Sequence, residues 1–501
     1  MFNSKRRNHP IIIGVGQSIY RKKIMGKSLS VFDMAKMASD ACVLDTGRPD
    51  ILKFVDSLSV VSMFSEYRES PVHGICEQIG INPAMSEEAA IGGNGPQWLI
   101  NRTADKIMAG ELKVALFIGA EALYRDVNFR QMLDWEKLFE RYGYDKISGD
   151  IRRGSTTHEI LHGVSHAPHI YPLFENALRA HLKMSLAEHR AFLKTYFNNM
   201  EAIASGNPYA WFNSGKKWDN VTEPTQANPL FNFPYTKYMN PVPAVNQGAA
   251  VIMTDTDTAL KLEIPKDKWV YLHGGAEATE KWYISERISY SRSPVIRFTA
   301  EAALKSAGLE LPDIDFFDLY SCFPCATIIA AMEIGLPIQN LPPPSITGGL
   351  SFFGGPGNNY TMHSIAHAVE RLRKHPEEYG FITGVGHYLT KHSVGIYSGI
   401  EPEKAWGRDP QQTIQERIDA LESPVLCENP KGPATVETYT VLRDAPDGVP
   451  WPIIIARLDT GERCFATTMK GSDLALQMEN EEFIGRRGHI APGDRGPNIF
   501  K

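Results

Sequence analysis

The chain has 501 residues, 43% of them hydrophobic and 22% charged, the balance of a globular protein with room for roughly two to four domains. A net charge of −6 offers no basic face for nucleic acid or for an anionic membrane surface. The first apolar run, Ile11 to Ile13, is too short for a secretion signal or a membrane span, so a cytoplasmic protein is expected.

In chain order, Pro10 to Gly16 predicts a buried strand ending in a glycine turn, and Ser28 to Cys42 has helical spacing. Asp56 to Met63 predicts a strand. Ala89-Ala-Ile-Gly-Gly-Asn-Gly-Pro96 is a glycine turn feeding a helix to about Ala109, with Pro96 in its first turn and Gly110 at its stop. Val114 to Glu121 is a continuous apolar strand, as in a sheet covered on both faces. Residues 125–234 are aromatic and polar with weak periodicity, and predict an inserted loop domain over a site. Val245 to Met253 returns to the sheet.

From about residue 268 the order repeats. Strands are expected at Trp269–Leu272, Phe316–Tyr320, Gly380–Gly386 and Val394–Ser398, with helices at Val295–Gly308, 324–333 and 359–374. The like order predicts a duplicated α/β unit, with halves at 1–124 plus 235–265 and at 266–402. Past residue 403, short strands at Ala434–Val441, Trp451–Leu458 and Glu462–Thr467 lie between Pro, Gly and Asp turns and predict a small β-barrel over 403–501.

One stretch draws the chain together. Ile346 to His363 holds five glycines and runs into the helix at 359–374. A glycine turn at a helix N-terminus suits an anion or oxyanion, and its plain alternative is a tight strand-to-helix connection. Two metal-like patterns carry less. Cys322 and Cys325 form C-x-x-C, but no second cysteine pair completes a zinc site. His158-Glu-Ile-Leu-His162 fits H-E-x-x-H, yet Gly154 and Gly163 flank it, and Ser165 and Pro168 occupy the slots of the longer zinc-protease motif. His363, His367 and Glu370 share a helix face without a fourth ligand, so no metal is expected. Neither a Walker A nor a dinucleotide fingerprint is present, so ATP and NAD are not implied.

The two-half order, with Ala90-Ile-Gly-Gly-Asn-Gly95, Asp318 to Pro324, Gly348-Gly349, Gly354-Gly-Pro-Gly357 and Gly384 to His392, resembles the thiolase superfamily. The nearest likeness is the sterol-carrier-protein-type branch with an added OB-like C-terminal domain, and it covers most of residues 8–400. The resemblance implies a five-layered α-β-α-β-α core and an acyltransferase that makes or cleaves a carbon–carbon bond next to an acyl-CoA thioester. It also implies coenzyme A as substrate or acyl carrier, held by the loop domain and the glycine turns, and a homodimer built on the edge of the core sheet. Arg125, Arg130, Arg152, Arg153, Lys216, Lys217 and Lys237 are candidates for the CoA phosphates.

That chemistry needs a nucleophile, a base and oxyanion donors. The family's nucleophilic cysteine falls on Gly92, its Gly-His-Pro histidine on Gly355, and its second cysteine near Gly384-Val-Gly386. The side chains left nearby are read as catalytic at Cys322, His363, His392 and Tyr320, and as substrate-binding at Gly92, Asn94, Gly355, Asn358, His387 and Tyr388. Two alternatives to acyl transfer stay open: retro-aldol cleavage of a β-hydroxyacyl-CoA, which needs no acyl nucleophile, and a non-catalytic acyl-CoA-binding subunit.

Overall fold

The computed structural model describes residues 8–26, 28–66, 70–125, 146–213, 221–444, 448–469, 471–493 and 496–501. Arg130, Lys216 and Lys217 lie outside these. The first half contributes β1 (Pro10–Ile19), α1 (Val31–Asp45), β2 (Ser57–Val60), α2 (Pro71–Ile79), β3 (Met85–Ala89), α3 (Gly95–Met108) and β4 (Val114–Ala122). The middle segment holds β5 (Ile147–Ser148), α4 (Thr157–Leu161), α5 (Ala167–His181), α6 (Leu186–Ser205), β6 (Leu230–Asn232) and β7 (Tyr235–Thr236). After β8 (Asn246–Asp255) and α7 (Thr256–Lys261), the second half brings β9 (Val270–Thr279), α8 (Pro294–Ala307), β10 (Phe316–Asp318), α9 (Pro324–Ile334), α10 (Tyr360–Lys374), β11 (Tyr379–Gly386) and β12 (Lys391–Ser398).

These strands form one sheet in the order β10-β11-β12-β9-β1-β8-β4-β2-β3-β5. Read outward from the centre, β1-β8-β4-β2 and β9-β12-β11-β10 repeat one pattern, the duplication seen in the sequence. The halves meet where Ile11 and Ile12 of β1 pair with Tyr271 and Val270 of β9. Helices α3 and α10 form a middle layer that touches strands of both halves, while α1 covers the first half and α8 the second. This gives five layers, α-β-α-β-α. The middle layer is apolar because Leu99, Ile100, Ala104 and Ile107 of α3 and Met362, Ile365, Ala366 and Val369 of α10 recur at helical spacing and are buried. Gly92 and Gly355 therefore both lie just before middle-layer helices.

The middle segment is more helical than its sequence predicts. The inner face of α5 carries buried Glu175, Asn176 and Arg179, and Pro172 sits inside the helix, so the apolar rhythm is broken. Strand β9 is also longer than expected. Its Gly274-Gly275 lies inside the strand, where a Cβ on Gly274 would overlap Ala303 O and one on Gly275 would overlap Asn101.

The C-terminal part has α11 (Gln411–Asp419), β13 (Gly432–Leu442), β14 (Trp451–Leu458), β15 (Arg463–Ala466), α12 (Asp473–Gln477), β16 (Arg487–Ala491) and β17 (Ile499–Phe500). Its sheet runs β15-β14-β13-β16-β17, with β6 of the middle segment pairing onto β13 and β7 onto β6. Thr467, just past β15, donates its N–H to Asn498 O and accepts from Phe500 N, both at 2.8 Å, which ties the two sheet edges together. Arg408 anchors the start of this part to the core through Asp105 and Glu277, at 2.7 Å each. Among the described residues no helix is long and apolar enough to cross a membrane.

Candidate active site

The turn before α3 is built from both halves. Gly92 has φ of 152°, a backbone state that side chains rarely adopt. Its N–H donates to Asn358 Oδ1 at 2.9 Å, and Asn358 Nδ2 donates in turn to Ser62 O at 2.9 Å. Thr361 Oγ1 donates to Gly93 O at 2.6 Å. A Cβ on Gly92 would overlap Asn94 Oδ1 and stand 3.4 Å from Lys391 Cδ. One on Gly93 would overlap the Tyr320 hydroxyl. The structure thus brings together four of the expected residues, Gly92, Asn94, Tyr320 and Asn358, around one glycine turn.

Lys391 completes this wall. Its Nζ donates to Ile91 O at 2.8 Å and Asp150 O at 2.6 Å, and burial lowers its pKa to about 8. Burial also pushes the Tyr320 phenol well above its ordinary range, so it is a neutral hydrogen-bond donor.

The remaining expected residues stand apart from that wall or are engaged elsewhere. Cys322 is buried, pairs with Tyr171, and has its pKa raised to about 12 by desolvation, the opposite of an activated thiolate. His363 is fully buried, with Nδ1 bonded to Gln17 Oε1 at 2.7 Å and its ring 5.1 Å from that of Phe353. Burial lowers its pKa to about 3. His392 Nε2 donates to Leu389 O at 3.0 Å, and burial lowers its pKa to about 4. His387 takes φ of 53° in the turn between β11 and β12, beside Trp282, and Tyr388 OH donates to Ser165 O at 2.6 Å. Gly355 donates its N–H to Val242 O at 2.9 Å.

Two groups escape the sequence reading. Gln17 bridges His363 and His367, whose Nδ1 it meets at 2.8 Å, and nothing in an apolar strand marks it beforehand. Asp318 is buried and accepts from Ser364 Oγ at 2.7 Å, Ser345 Oγ at 2.9 Å and Ile346 N at 2.9 Å, yet desolvation raises its pKa to about 6. Hydroxyls continue from Ser345 through Thr347 to Tyr360, at 3.0 and 2.5 Å, and the Tyr360 ring packs edge-on to Tyr320. The signal available was the acid at a strand end, one residue before Leu319-Tyr320.

The H-E-x-x-H pattern does form one helical turn, but its side chains serve the fold. His162 Nδ1 donates to His158 O, its Nε2 accepts from Asn498 N, and Glu159 caps α4 and takes the N–H of Ser285. Among the described residues no group of three ligand-type side chains suits a metal.

Residues 413–495 match the family described as thiolase-like protein type 1 additional C-terminal domain. A crystal structure of a monomeric SCP2-thiolase like protein type 1 from Mycobacterium smegmatis is 32% identical, with 98% of each chain covered and a TM-score of 0.84. The chain belongs to the SCP2-thiolase-like proteins of type 1. Two more distant structures share the fold with this type 1 protein. An Ltp2-ChsH2(DUF35) aldolase aligns at 15% identity over 78% of this chain and 98% of its own, with a TM-score of 0.60. An acetyl-CoA acetyltransferase from Syntrophomonas wolfei aligns at 14% identity over 79% and 100%, with a TM-score of 0.54. Comparison with curated protein sequences gave no match.

Proposed function

We propose that this type 1 thiolase-like protein binds an acyl-CoA thioester at the Gly92–Gly95 turn and acts on it without forming an acyl-enzyme. The observation that carries the reading is the closed nucleophile slot. Gly92 is walled in by Asn94 and Lys391, and Cys322, the cysteine of the neighbouring motif, is buried and protonated. What remains is donor chemistry. The Tyr320 phenol suits a thioester carbonyl, and suits it better as charge develops on the oxygen.

Tyr320 favours retro-aldol cleavage as the reaction class. A base takes the β-hydroxyl proton of a β-hydroxyacyl-CoA, the Cα–Cβ bond breaks to give an aldehyde or ketone, and the electron pair passes to a thioester enolate that is then protonated. Stabilising that enolate is the part a neutral phenol performs. Acyl transfer with Cys322 standing in for the missing nucleophile finds less support in a thiol held at about 12. We take the working assembly to be a monomer, as the mycobacterial relative is described, and light scattering of the purified chain tests this.

The test is calorimetric titration and intact-mass measurement with acetyl-CoA, acetoacetyl-CoA and a panel of β-hydroxyacyl-CoA compounds. Thioesters are expected to bind, Tyr320→Phe to weaken them about tenfold, the loss of a hydrogen bond of about 1.4 kcal/mol, and the protein mass to stay unchanged. Release of an aldehyde or ketone establishes the retro-aldol route. An acyl adduct on Cys322 overturns the non-covalent reading, and failure of every thioester to bind overturns the reading as a whole.

A further inference from the structure

The C-terminal part reaches into the core through one buried side chain. Arg463 of β15 is fully buried. On its own side it forks onto Glu437 of β13, with Nη2 to Oε1 at 2.5 Å and Nε to Oε2 at 2.8 Å. Across the boundary its Nη1 donates to two main-chain carbonyls, Ser285 O at 2.9 Å and Arg287 O at 2.5 Å. Its guanidinium lies 4.6 Å from the centre of the Tyr290 ring. The forked pair fixes the direction of the guanidinium, and so the place of the two carbonyls.

Arg287 passes that grip on. It is buried as well, and its guanidinium donates to three acceptors of the turn between β11 and β12: Leu389 O at 2.7 Å, Tyr388 O at 2.9 Å and Thr390 Oγ1 at 2.7 Å. These acceptors are neutral, and a buried cation held by neutral groups is costly to keep. The turn needs holding. His387 and Leu389 both have φ of 53°, a strained state for residues with side chains that persists only where the surroundings impose it. The same turn walls the candidate site. At its start, Gly386 Cα stands 3.3 Å from where a Cβ on Gly92 would lie. At its end, Lys391 Nζ donates to Ile91 O at 2.8 Å.

We propose that the C-terminal part is a working component of the acyl-CoA site, with Arg463 and Arg287 as positioning residues that set the β11–β12 turn, and through it Lys391, against the Gly92 turn. This rests on the reading of the Gly92 turn as the thioester site. Neither arginine meets the thioester; both act through the turn. If Arg463 served only to join the C-terminal part to the core, any equal loss of stability there would have the same effect on the site.

The test uses the full chain labelled with ¹³Cε-lysine, in which Lys391→Met assigns the Lys391 signal. Its titration midpoint is expected near 8 in wild type. Arg463→Met and Arg287→Met are each expected to raise that midpoint by about one unit or more, as water reaches the amine, and to weaken thioester binding about tenfold. Arg463→Lys keeps one charge but cannot fork onto Glu437 and both carbonyls, so a smaller shift in the same direction is expected. That variant carries the test where the methionine variant does not fold. Ile454→Ala is the control: buried in the same sheet, it removes apolar contacts while Arg463 and Glu437 stay in place. It is expected to lower stability with the Lys391 midpoint and thioester binding unchanged. An unmoved midpoint in the Arg463 variants, or an equal shift in Ile454→Ala, overturns the proposal. Failure of wild type to bind any thioester overturns the reading of the site, and the Lys391 midpoint alone then decides whether Arg463 sets the turn.

Discussion

The turns at Gly92–Gly95 and Gly354–Gly357 occupy matching places, each feeding a helix of the middle layer, and each has glycine where the resemblance to the thiolase superfamily leads one to expect a catalytic side chain. They lack it in different ways. At the first turn the space is taken: Gly92 sits at φ of 152°, and Asn94, Lys391 and Tyr320 press on Gly92 and Gly93. At Gly355 a Cβ would meet nothing nearer than Leu350 Cδ2 at 3.5 Å, Val242 O at 3.6 Å and Pro241 Cβ at 3.7 Å, which is ordinary contact. One slot is closed and the other has room for a Cβ at ordinary contact distance. A glycine in a sequence does not distinguish these cases; the atoms around it do.

The sharpest way to break the comparison is Gly93→Val. Its side chain collides with the Tyr320 hydroxyl and with Val385 O, and overpacking of this kind costs about 1–3 kcal/mol. Urea unfolding is expected to show a loss at the upper end of that range, with thioester binding weakened by about tenfold or more because Tyr320 is displaced. A variant as stable as wild type would mean that the first turn is not closed. Gly92→Cys comes next. Restoring the superfamily's nucleophile is expected to destabilise by about 1–3 kcal/mol through backbone strain and to give no acyl adduct by mass. An adduct would show that the slot is as vacant as the one at Gly355.

How far this was legible in sequence follows the same division. The continuous apolar strand β4, the repeated strand order and the glycine turns declare themselves, because a sheet covered on both faces must be apolar throughout and a turn into a helix needs glycine at set places. What the turns contain does not. Tyr320 and Lys391 reach Gly92 and Gly93 from about 230 to 300 residues away, and no local pattern encodes that approach. Helix α5 was hidden because its inner face is polar, with Glu175 spent on His189 and Tyr235 instead of on an apolar stripe. Strand β9 runs past the expected end at Leu272 because Gly274 and Gly275 let α8 and Asn101 of α3 pack closely against it.

The two turns also titrate in different windows. Behind the second lies His363, on the helix it feeds, with its folded pKa depressed to about 3. A histidine kept neutral by burial contributes stability that is full above its unfolded value near 6.5 and is lost as pH falls towards 3. Beside the first lies Lys391, depressed to about 8, whose contribution is full above its ordinary 10.5 and falls away as pH drops towards 8. Asp318 runs the other way: raised to about 6, it favours the fold at low pH, and that contribution is lost as pH rises from 3.8 through 6. In urea titrations, wild type is expected to lose about 1.4 kcal/mol per pH unit for each such histidine between pH 6 and 4. His363→Gln removes one proton from that slope, and Lys391→Met flattens the alkaline limb alone. If Lys391→Met altered the acid limb instead, the two turns would be coupled and not separate.

The smallest effect is the most direct statement of vacancy. Gly355 has no positive φ and no neighbour nearer than 3.5 Å on its Cβ side, so Gly355→Ala adds a methyl group at ordinary contact distance and removes backbone freedom only from the unfolded chain. Such a change stabilises by about 0.4–1 kcal/mol, whereas Gly92→Ala, strained at φ of 152°, has the opposite sign. The pair is read together in one thermal-unfolding experiment, and the sign matters more than the size. If both variants lose stability, the Gly355 slot is as closed as the first, and the loop around Leu350 and Val242 has taken over the volume that the superfamily gives to its histidine.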